Sequence, residues 1–226
     1  MFLTAKLSAR LSGNVRFHMS LSLRRHVERA TQRNVWHFSN EVLYDLCREQ
    51  PLHTEIGVVL AKILLIGRVY AVAIERRRSN NEGNDVFYKT TVAPKIIKSP
   101  IDRWIEAAKK PKPTSAAALD VMIEMHGKTT QLFSKISGLE KRSLASKYLH
   151  FHVPHLFFIY DTRAVEGMRT VSQIVGRVSS YTGSGDKEYR KFAEKCSRLR
   201  SHCVAEFGAH LSPRQLDNLL LALYEE

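Results

Sequence analysis

One carboxylate, Asp161, has the surroundings of a residue that could do chemistry. It follows an apolar segment and directly precedes a helical pattern, which predicts a helix N-terminus at this position. A carboxylate in such a place can stabilise a positive charge that develops beside it, and it can accept a proton from an attacking water or amine. The simpler interpretation is that Asp161 only caps the helix. Earlier in the chain, Lys147 supplies an amine that could act as a nucleophile or, alternatively, remain solvated or contact a phosphate.

Turn and helix signals predict the elements that position these two residues. A tight turn at Ser137-Gly138 precedes a helical run from Lys141 to His152. Pro154 breaks that run, and an extended apolar segment from His155 to Tyr160 leads to Asp161. We expect Gly138 to adopt a backbone conformation that L-residues resist.

This order of elements resembles the helix-hairpin-helix DNA glycosylases, a superfamily that includes endonuclease III and the 8-oxoguanine glycosylases. Ile136-Ser137-Gly138-Leu139 is similar in type to the family's hairpin, and Ile159-Tyr160-Asp161-Thr162-Arg163 is similar to its Val-Asp-Thr-His segment. The run from Leu65 to Arg77 also resembles a bacterial family of small glycosylase-like proteins. The resemblance implies an all-α, two-lobed fold with the substrate cleft between the lobes and Asp161 as the key carboxylate.

Two positions depart from the family's pattern. Glu140 occupies the place of the hairpin's second glycine, where the family brings backbone N–H groups to a DNA phosphate. The family's Schiff-base lysine, counted back from the carboxylate, falls near Arg142 or Ser143. The nearest lysines are Lys141 and Lys147, and Lys147 lies one helical turn beyond Ser143 on the same face. Lys147 is therefore the candidate amine.

Basic residues around the hairpin are candidates for phosphate contacts. Lys135, Lys141 and Arg142 flank the turn, and a phosphate contact needs a positive charge rather than a particular base. The resemblance adds Gly138 and Arg163 to the expected DNA-binding surface. The hairpin is therefore expected to hold the DNA backbone.

Four residues are candidates for a pocket that holds an extruded base. Tyr148 and His150 could stack on a flipped base or bond its edge, although Tyr148 could equally belong to the core. Arg68 and Glu75 belong to a strongly apolar stretch, where a charge is either paired or functional. The alternative to a pocket role is that Arg68 and Glu75 form an ion pair with each other or with charges on a neighbouring helix. His150 and His152 diverge on a helix, so we predict no metal site there and expect no cofactor.

The strongest global signal is the charge. Lys and Arg number 35 against 22 Asp and Glu, a net charge of +13 over 226 residues. Such an excess attracts polyanions, nucleic acid first and anionic membranes second, unless it only keeps the protein in solution. The hydrophobic content of 44% excludes a disordered chain. Lys62 and Arg68 interrupt the apolar stretch from Val58 to Ile74, which predicts a buried core helix rather than a membrane span.

The chain is predicted to consist of a basic N-terminal arm, residues 1–34, and a helical glycosylase-like domain, residues 35–226. The arm is rich in Arg and Ser and has no acid before Glu28, a composition also typical of an organellar presequence. A DNA-binding arm and a true translation start at Met19 are the other interpretations. The Lys/Pro run at residues 109–114 is a candidate lobe boundary, because its two closely spaced prolines, Pro111 and Pro113, resist helix formation.

Capping signals predict about eight to ten helices and no sheet. Gly127 is expected to end one helix, and the helix after Asp161 is expected to reach about Val178. Val86 to Val92 is left open between extended and helical structure. The expected N-caps are Ser39, Thr54, Ser99, Thr114 and Ser212. The three cysteines are expected to be free thiols in a reducing compartment: Cys47, Cys196 and Cys203.

The residues and the resemblance together favour a DNA glycosylase that excises a damaged or modified base from double-stranded DNA. Asp161 is the expected carboxylate, and Lys147 is the amine if the protein also cleaves the strand. A non-catalytic glycosylase-like module that binds modified DNA is the alternative, and an RNA-binding helical domain is a third. We expect a monomer associated with the nucleoid of a bacterial-type cytoplasm. An enzyme requires Asp161 to face an open cleft beside Lys147 or a pocket, whereas a binding module can bury it as a cap.

The charge generates the first testable prediction. If the basic excess binds a phosphate backbone, the affinity for random duplex DNA should fall log-linearly with salt. With about six neutralised phosphates, the loss between about 50 and 200 mM salt is on the order of 10³-fold. A filter-binding or anisotropy titration measures this slope, and an affinity that does not change with salt would refute the prediction.

Overall fold

The computed structural model describes residues 22–76, 83–113, 115–178 and 185–226, and these residues form helices with no strand among them. The all-α prediction is therefore confirmed. The elements are α1 (22–31), α2 (His37–Glu49), α3 (Ile56–Val69), α4 (Asn84–Phe87), a π-helical turn (Tyr88–Val92), α5 (Ala93–Ile97), α6 (Ile101–Lys109), α7 (Ala116–Ser137), α8 (Arg142–His152), α9 (Thr162–Thr170), α10 (Ser172–Val175), α11 (Lys187–Phe207) and α12 (Pro213–Tyr224).

The predicted N-terminal arm is wrong for residues 22–31, which form α1. Leu23, Val27 and Ala30 recur at helical spacing and are buried in the core. The many arginines between these apolar residues concealed the pattern, because charge and amphipathic spacing coexist in a surface helix. Residues 1–21, the rest of the predicted arm, lie outside the described residues.

The apolar helix α3 buries one face in the core, through Val59, Ile63 and Ile66, but it ends at Val69, before the end of the apolar stretch at Ile74. The chain folds back at this point, since the Val72 N–H donates a hydrogen bond to the Gly67 carbonyl at 2.7 Å. A Cβ on Gly67 would lie only 3.1 Å from the Ala73 Cα, so the returning chain packs closely on the last turn of the helix. Among the described helices, none is both long enough and apolar enough to cross a membrane.

The capping box predicted at the start of α12 is confirmed. The Gln215 N–H donates to the Ser212 Oγ at 3.2 Å, and the Ser212 N–H donates to the Gln215 Oε1 at 2.9 Å. Ser39 does not cap α2, because that helix already begins at His37. The Ser39 hydroxyl instead donates to the Trp36 carbonyl at 3.2 Å.

Two other predicted helix starts are displaced by one residue. Glu55 rather than Thr54 is the N-cap of α3, and its side chain accepts no capping hydrogen bond. Pro100 rather than Ser99 is the N-cap of α6, although the Ser99 Oγ accepts a long hydrogen bond of 3.4 Å from the Ile101 N–H. Both signals therefore predict the helix but not its first residue.

The prediction that Gly127 ends a helix is wrong, because α7 continues through it to Ser137. A glycine inside a helix costs about 1 kcal/mol relative to alanine, which is tolerable where packing holds the turns on either side. Met125 and Thr129 provide that packing, since both are buried. The N-cap is Ser115; the predicted cap, Thr114, lies outside the described residues.

The helix predicted from Asp161 to Val178 is interrupted. It consists of α9 and the single turn α10, separated at Val171, and Gly176 then adopts a φ of 67° that ends the helical path. For Val86 to Val92 the sequence allowed either extended or helical structure, and the segment is helical.

The three cysteines are free and buried, as predicted: Cys47, Cys196 and Cys203. Helices α6 and α7 lie on either side of residues 110–113 and pack against each other. The division into two lobes near residues 109–114 stays a prediction.

Helices α9 and α12 make the most extensive contact between described elements, and a glycine permits it. A Cβ built on Gly167 would lie 2.0 Å from the carbonyl oxygen of Leu220. No side chain fits between the two helices at this point. This close contact fixes α12 against the helix that Asp161 caps.

Gly167→Ala should therefore destabilise the protein by about 3 kcal/mol, because the backbone of α12 must move to admit the methyl group. The matched control is Gly57→Ala in α3, where a Cβ would meet nothing within 4 Å. The control should be neutral or up to about 1 kcal/mol stabilising. Urea unfolding of both variants measures the difference, and equal effects would contradict the close approach.

Candidate functional site

The turn before α8 has the left-handed glycine conformation predicted for it. Gly138 has a φ of 73°, and its N–H donates to the Ser134 carbonyl at 2.8 Å, which closes α7. The Leu139 N–H donates to the Ser137 Oγ at 3.3 Å and fixes the next residue of the turn. A residue with a Cβ would be strained here, so glycine sets the direction in which the chain enters α8.

Ser146, on the buried face of α8, fixes the segment that leads to Asp161. The Tyr160 N–H donates to the Ser146 Oγ at 3.0 Å, and the Ser146 hydroxyl lies 3.2 Å from the Tyr160 carbonyl oxygen. The residues before Tyr160 are buried in the core, from Leu156 to Ile159. Because Ser146 is adjacent to Lys147 in the helix, this clamp brings Asp161 beside the amine.

Lys147 and Asp161 form a buried ion pair. The Lys147 Nζ donates to the Asp161 Oδ2 at 2.9 Å and to the Ser143 Oγ at 3.0 Å. The other carboxylate oxygen, Oδ1, accepts from the Ala164 N–H at 2.9 Å, so Asp161 is the N-cap of α9 as predicted. The Lys147 side chain is 2% exposed and that of Asp161 is 16% exposed. One carboxylate thus serves the helix and the amine at once.

The surroundings keep Asp161 ionised. Burial alone would raise its pKa, but the charge of Lys147, the Ala164 N–H and the charge of Arg163 act against burial. The net result is a pKa below the ordinary value for aspartate. An ionised carboxylate is the form that can stabilise a positive charge.

A cleft of about 710 Å³ opens at this ion pair. Lys147, Asp161 and Arg163 contribute to its wall together with Tyr70 and Tyr160. Asp161 therefore faces an open cleft with Lys147 beside it, which is the geometry that the catalytic hypothesis requires.

Tyr70 connects the cleft to a second buried ion pair that the sequence analysis missed. Its ring centroid lies 5.8 Å from the Lys147 Nζ and 5.3 Å from the guanidinium carbon of Arg214. The Arg214 Nη1 donates to the Asp217 Oδ2 at 3.1 Å, and the Asp217 side chain is only 4% exposed. The available signal was the position of Asp217 on the apolar stripe of α12, beside the buried Leu216.

His150 does not line the cleft, so its assignment to a base pocket is wrong. It is fully buried, with Nδ1 2.9 Å from the Phe157 carbonyl. A carbonyl only accepts, so Nδ1 carries the proton and Nε2 accepts from the Tyr44 hydroxyl at 2.7 Å. Burial, with the charge of Arg214, holds the pKa of His150 well below its usual value. The imidazole is therefore a neutral part of the core.

Tyr148 is also fully buried, so the base-pocket assignment is wrong for it as well. Its hydroxyl lies 2.7 Å from the His53 Nε2, and the His53 Nδ1 lies 2.5 Å from the Asp102 Oδ1. Burial lowers the pKa of His53 to about 4 despite the Asp102 carboxylate. Tyr148 thus donates to a neutral imidazole in a chain that joins α8 to α6. The partners come from distant positions in the sequence, which is why spacing alone did not reveal them.

Arg68 and Glu75 do not line the cleft either. Arg68 is exposed near the end of α3, and Glu75 accepts a hydrogen bond from the Tyr88 hydroxyl. The expectation of buried charges in a long apolar helix fails because α3 ends before Glu75. The segment that follows does contribute to the cleft, through Ala71 and Arg76.

The predicted phosphate-binding residues have different surroundings. Lys135 and Arg163 are exposed. The Lys141 Nζ donates to the Arg76 carbonyl at 2.9 Å. The Arg142 guanidinium is bound on two sides, since its Nε lies 2.8 Å from an Asp186 carboxylate oxygen and its Nη2 lies 2.6 Å from a carboxylate oxygen of Glu140. Arg142 therefore ties α8 to the N-cap of α11, and its contact with a phosphate stays a prediction.

Among the described residues, no group of three or more His, Cys, Asp or Glu side chains could hold a metal ion. Comparison of the chain with protein-family models, with curated proteins and with solved structures finds no match. The function must therefore be argued from the site itself.

The lowered pKa of Asp161 predicts how stability depends on acid. In the unfolded chain an aspartate titrates near about pH 4, so the stabilisation from ionised Asp161 is complete above that pH. It is lost as the pH falls through the lower pKa of the folded state. Wild type should therefore lose stability more steeply than Asp161→Asn between about pH 4 and pH 2.

Urea unfolding at a series of pH values measures the two slopes. Asp45→Asn is the matched control, because among the described residues Asp45 pairs only with the exposed Arg48 and surface pairs contribute little. It should follow the wild type. Parallel acid slopes for wild type and Asp161→Asn would show that the ion pair does not stabilise the fold.

Proposed function

We propose that this protein is a DNA glycosylase that removes a damaged or modified base, with Asp161 as the carboxylate and Lys147 as the amine. The observation that carries the proposal is the 2.9 Å contact between the Lys147 Nζ and the Asp161 Oδ2 at the wall of an open cleft. An amine and a carboxylate at this distance have the two functions that base excision with a covalent intermediate requires.

Asp161 would act on the sugar. When the bond between the sugar and the base breaks, the sugar gains oxocarbenium character, and a fixed carboxylate beside it lowers the energy of that state. Two hydrogen bonds hold Asp161, one from the Ala164 N–H and one from Lys147, so little reorganisation is needed. This support is in place before a substrate binds.

Lys147 would act as the nucleophile. Its ammonium must first lose a proton, and the Asp161 carboxylate is within hydrogen-bond reach of that proton. The neutral amine then attacks the sugar carbon that carries the base, and a carbon–nitrogen bond forms. The base leaves with the electrons of the broken bond and takes the proton from Asp161, so the carboxylate is ionised again while the sugar carries positive charge.

The aromatic rings of the cleft replace the two wrongly assigned pocket residues. Tyr70 and Tyr160 contribute to the cleft wall, whereas Tyr148 and His150 do not. Stacking on an aromatic ring is a common way to hold an extruded base. The net charge of +13 supports DNA as the polymer that carries the base.

A non-catalytic module that binds modified DNA is the second candidate. The observation that favours it is the pairing of charges around the hairpin, where Glu140 neutralises Arg142 and Asp161 neutralises Lys147. Charges that are already paired with each other are less available for a reacting group, as expected of a module that only binds. The two candidates differ in whether a base is released.

The deciding experiment uses a panel of duplexes that contain modified bases, scored for abasic sites. Asp161→Asn should lower base release by at least about 10²-fold, because it removes the charge that stabilises the transition state. Its affinity for DNA should hold, since asparagine caps a helix about as well as aspartate. Lys147→Ala should abolish borohydride trapping of a covalent complex with DNA.

Lys128→Ala is the matched control, because Lys128 forms only an exposed pair with Glu124. Lys128→Ala should release base and form the borohydride-trapped covalent complex with DNA to the same extent as the wild type. Full activity of Asp161→Asn on a duplex that the wild type cuts would refute the proposed role of the carboxylate. Tight binding with no base release on any duplex would favour the second candidate.

A further inference from the structure

The start of α2 has an exposed apolar stripe. Val35, Phe38 and Val42 recur at intervals of three and four residues, and their exposed fractions are 89%, 79% and 46%. Trp36, in the turn that precedes the helix, is 61% exposed. The opposite face of α2 packs into the core through residues such as Leu43. Because a surface helix usually carries polar side chains opposite its buried face, an exposed stripe of this kind indicates a partner.

An ordered turn holds the Trp36 backbone in place. The Trp36 N–H donates to the Asn34 Oδ1 at 3.0 Å, and the His37 N–H donates to the Asn34 carbonyl at 3.0 Å. The Trp36 carbonyl accepts from the Ser39 hydroxyl at 3.2 Å and from the Asn40 N–H at 3.0 Å. The turn is therefore formed before any partner binds, which lowers the entropic cost of binding.

The helix before this turn is strongly basic. Residues 22–36 contain four arginines and one acid, Glu28. Three of the arginines are exposed along α1 and the turn: Arg25, Arg29 and Arg33. This charge disfavours a second copy of the same face, since a symmetric contact would bring arginines together. It favours a polyanion instead.

A cavity of about 560 Å³ beside the turn distinguishes between two kinds of polyanion. An anionic membrane presents a flat surface that does not enter a cavity, whereas bases and phosphates project from a nucleic-acid strand. The cavity is rich in residues with amide side chains: Gln32, Asn34, Asn40, Gln215 and Asn218. Arg33 also contributes to its lining, and Glu41 is the one acid among the described residues that line it.

Two of these amides have their NH₂ groups left as donors. The Trp36 N–H donates to the Asn34 Oδ1, and the Ser212 N–H donates to the Gln215 Oε1. Because a backbone N–H only donates, each contacted amide atom is the oxygen, which fixes the orientation of the amide. Amide and guanidinium donors match the oxygen acceptors of phosphates and base edges. The cavity therefore favours nucleic acid over a membrane as the partner.

We propose that the α1–α2 corner, residues 25–42, is a second nucleic-acid contact that binds unpaired bases, which stack on Trp36 and Phe38 while the arginines of α1 contact the phosphates. Stacking requires an exposed base face, and bases inside a duplex do not offer theirs. The ligand is therefore a single-stranded segment. The residues that line the Lys147–Asp161 cleft all lie outside this range, so the inference does not rest on the proposed function.

Trp36 itself reports the contact. The chain has two tryptophans, and Trp104→Phe leaves Trp36 as the only one. An oligodeoxythymidylate of about 12 nucleotides is long enough to cover such a surface. It should quench the Trp36 fluorescence of this variant, because a stacked base quenches indole emission, and a duplex of the same length should quench it less. No quenching at concentrations where anisotropy shows the oligonucleotide bound overturns the inference.

Substitutions of the ring separate stacking from a general apolar contact. Trp36→Leu keeps an apolar side chain but removes the ring, and it should weaken binding of labelled oligodeoxythymidylate by about tenfold. Trp36→Phe keeps an aromatic ring and should bind nearly as the wild type does. The side chain is exposed, so both variants should keep the wild-type unfolding midpoint in urea. The stacking role is refuted by an affinity that Trp36→Leu leaves unchanged or that Trp36→Phe does not preserve.

Arg29→Ala tests the phosphate contacts. It should weaken binding of oligodeoxythymidylate and lower the slope of log affinity against log salt by about one. Arg103→Ala is the matched control, because Arg103 is exposed on α6 and lies outside the corner. It removes the same net charge and should leave the slope nearly unchanged. Equal changes in the two variants would assign the effect to the net charge of the protein and overturn the role of the corner.

Other partners of the corner give different results. A membrane contact would shift the Trp36 emission to the blue with vesicles of phosphatidylglycerol and phosphatidylcholine, without quenching by the oligonucleotide. A contact with a second copy would give a dimer in sedimentation that Phe38→Ala dissociates. Either result in place of quenching overturns the inference. The oligonucleotide contains no modified base, and Asp161→Asn should quench as the wild type does, so a failure to release bases would refute the proposed function alone.

Discussion

The structure of the site depends on one constraint, which is that the Lys147 ammonium, buried to 2% exposure, needs hydrogen-bond acceptors in place of the water it has lost. Asp161 satisfies it, and Asp161 can do so only because the Ser146 hydroxyl holds the preceding segment against α8. The same carboxylate satisfies a backbone donor at the start of α9. Removal of the Asp161 side chain therefore affects the amine and the helix start together, which couples the stability of this region to its chemistry.

The pKa values of the two buried carboxylates near Lys147, Asp161 and Asp217, are shifted in opposite directions from the ordinary value for aspartate. Hydrogen bonds and the Lys147 charge outweigh burial at Asp161 and lower its pKa, whereas burial outweighs Arg214 at Asp217 and raises its pKa to about 6. Stabilisation from Asp161 is present above about pH 4. Stabilisation from Asp217 is complete only below about pH 4 and is lost as the pH rises through about 6. Opposite shifts within one cluster are a pattern found where carboxylates have different tasks.

Local signals predicted the parts of the site that depend on a few consecutive residues. The αL conformation of Gly138, the cap at Asp161 and the capping box at Ser212 each follow from short-range hydrogen bonding, and each is confirmed. The lining of the cleft could not be predicted in this way. Tyr148 is buried because its partner is His53, and the sequence gives no sign of a contact between residues so far apart. A helical pattern shows which residues share a face, but not what that face meets.

The location of the Lys147–Asp161 pair favours a functional interpretation over a structural one. Replacing a buried ion pair with well-packed apolar residues is often neutral or stabilising, so a fold that needed only stability would have little use for this pair. The pair also lies at the wall of an open cleft. In a packed core, by contrast, it would be buried completely. The buried pair of Arg214 with Asp217 beside it increases the number of charges that must be desolvated. Two buried ion pairs around one aromatic ring, Tyr70, are therefore the part of the described structure that stability alone explains least.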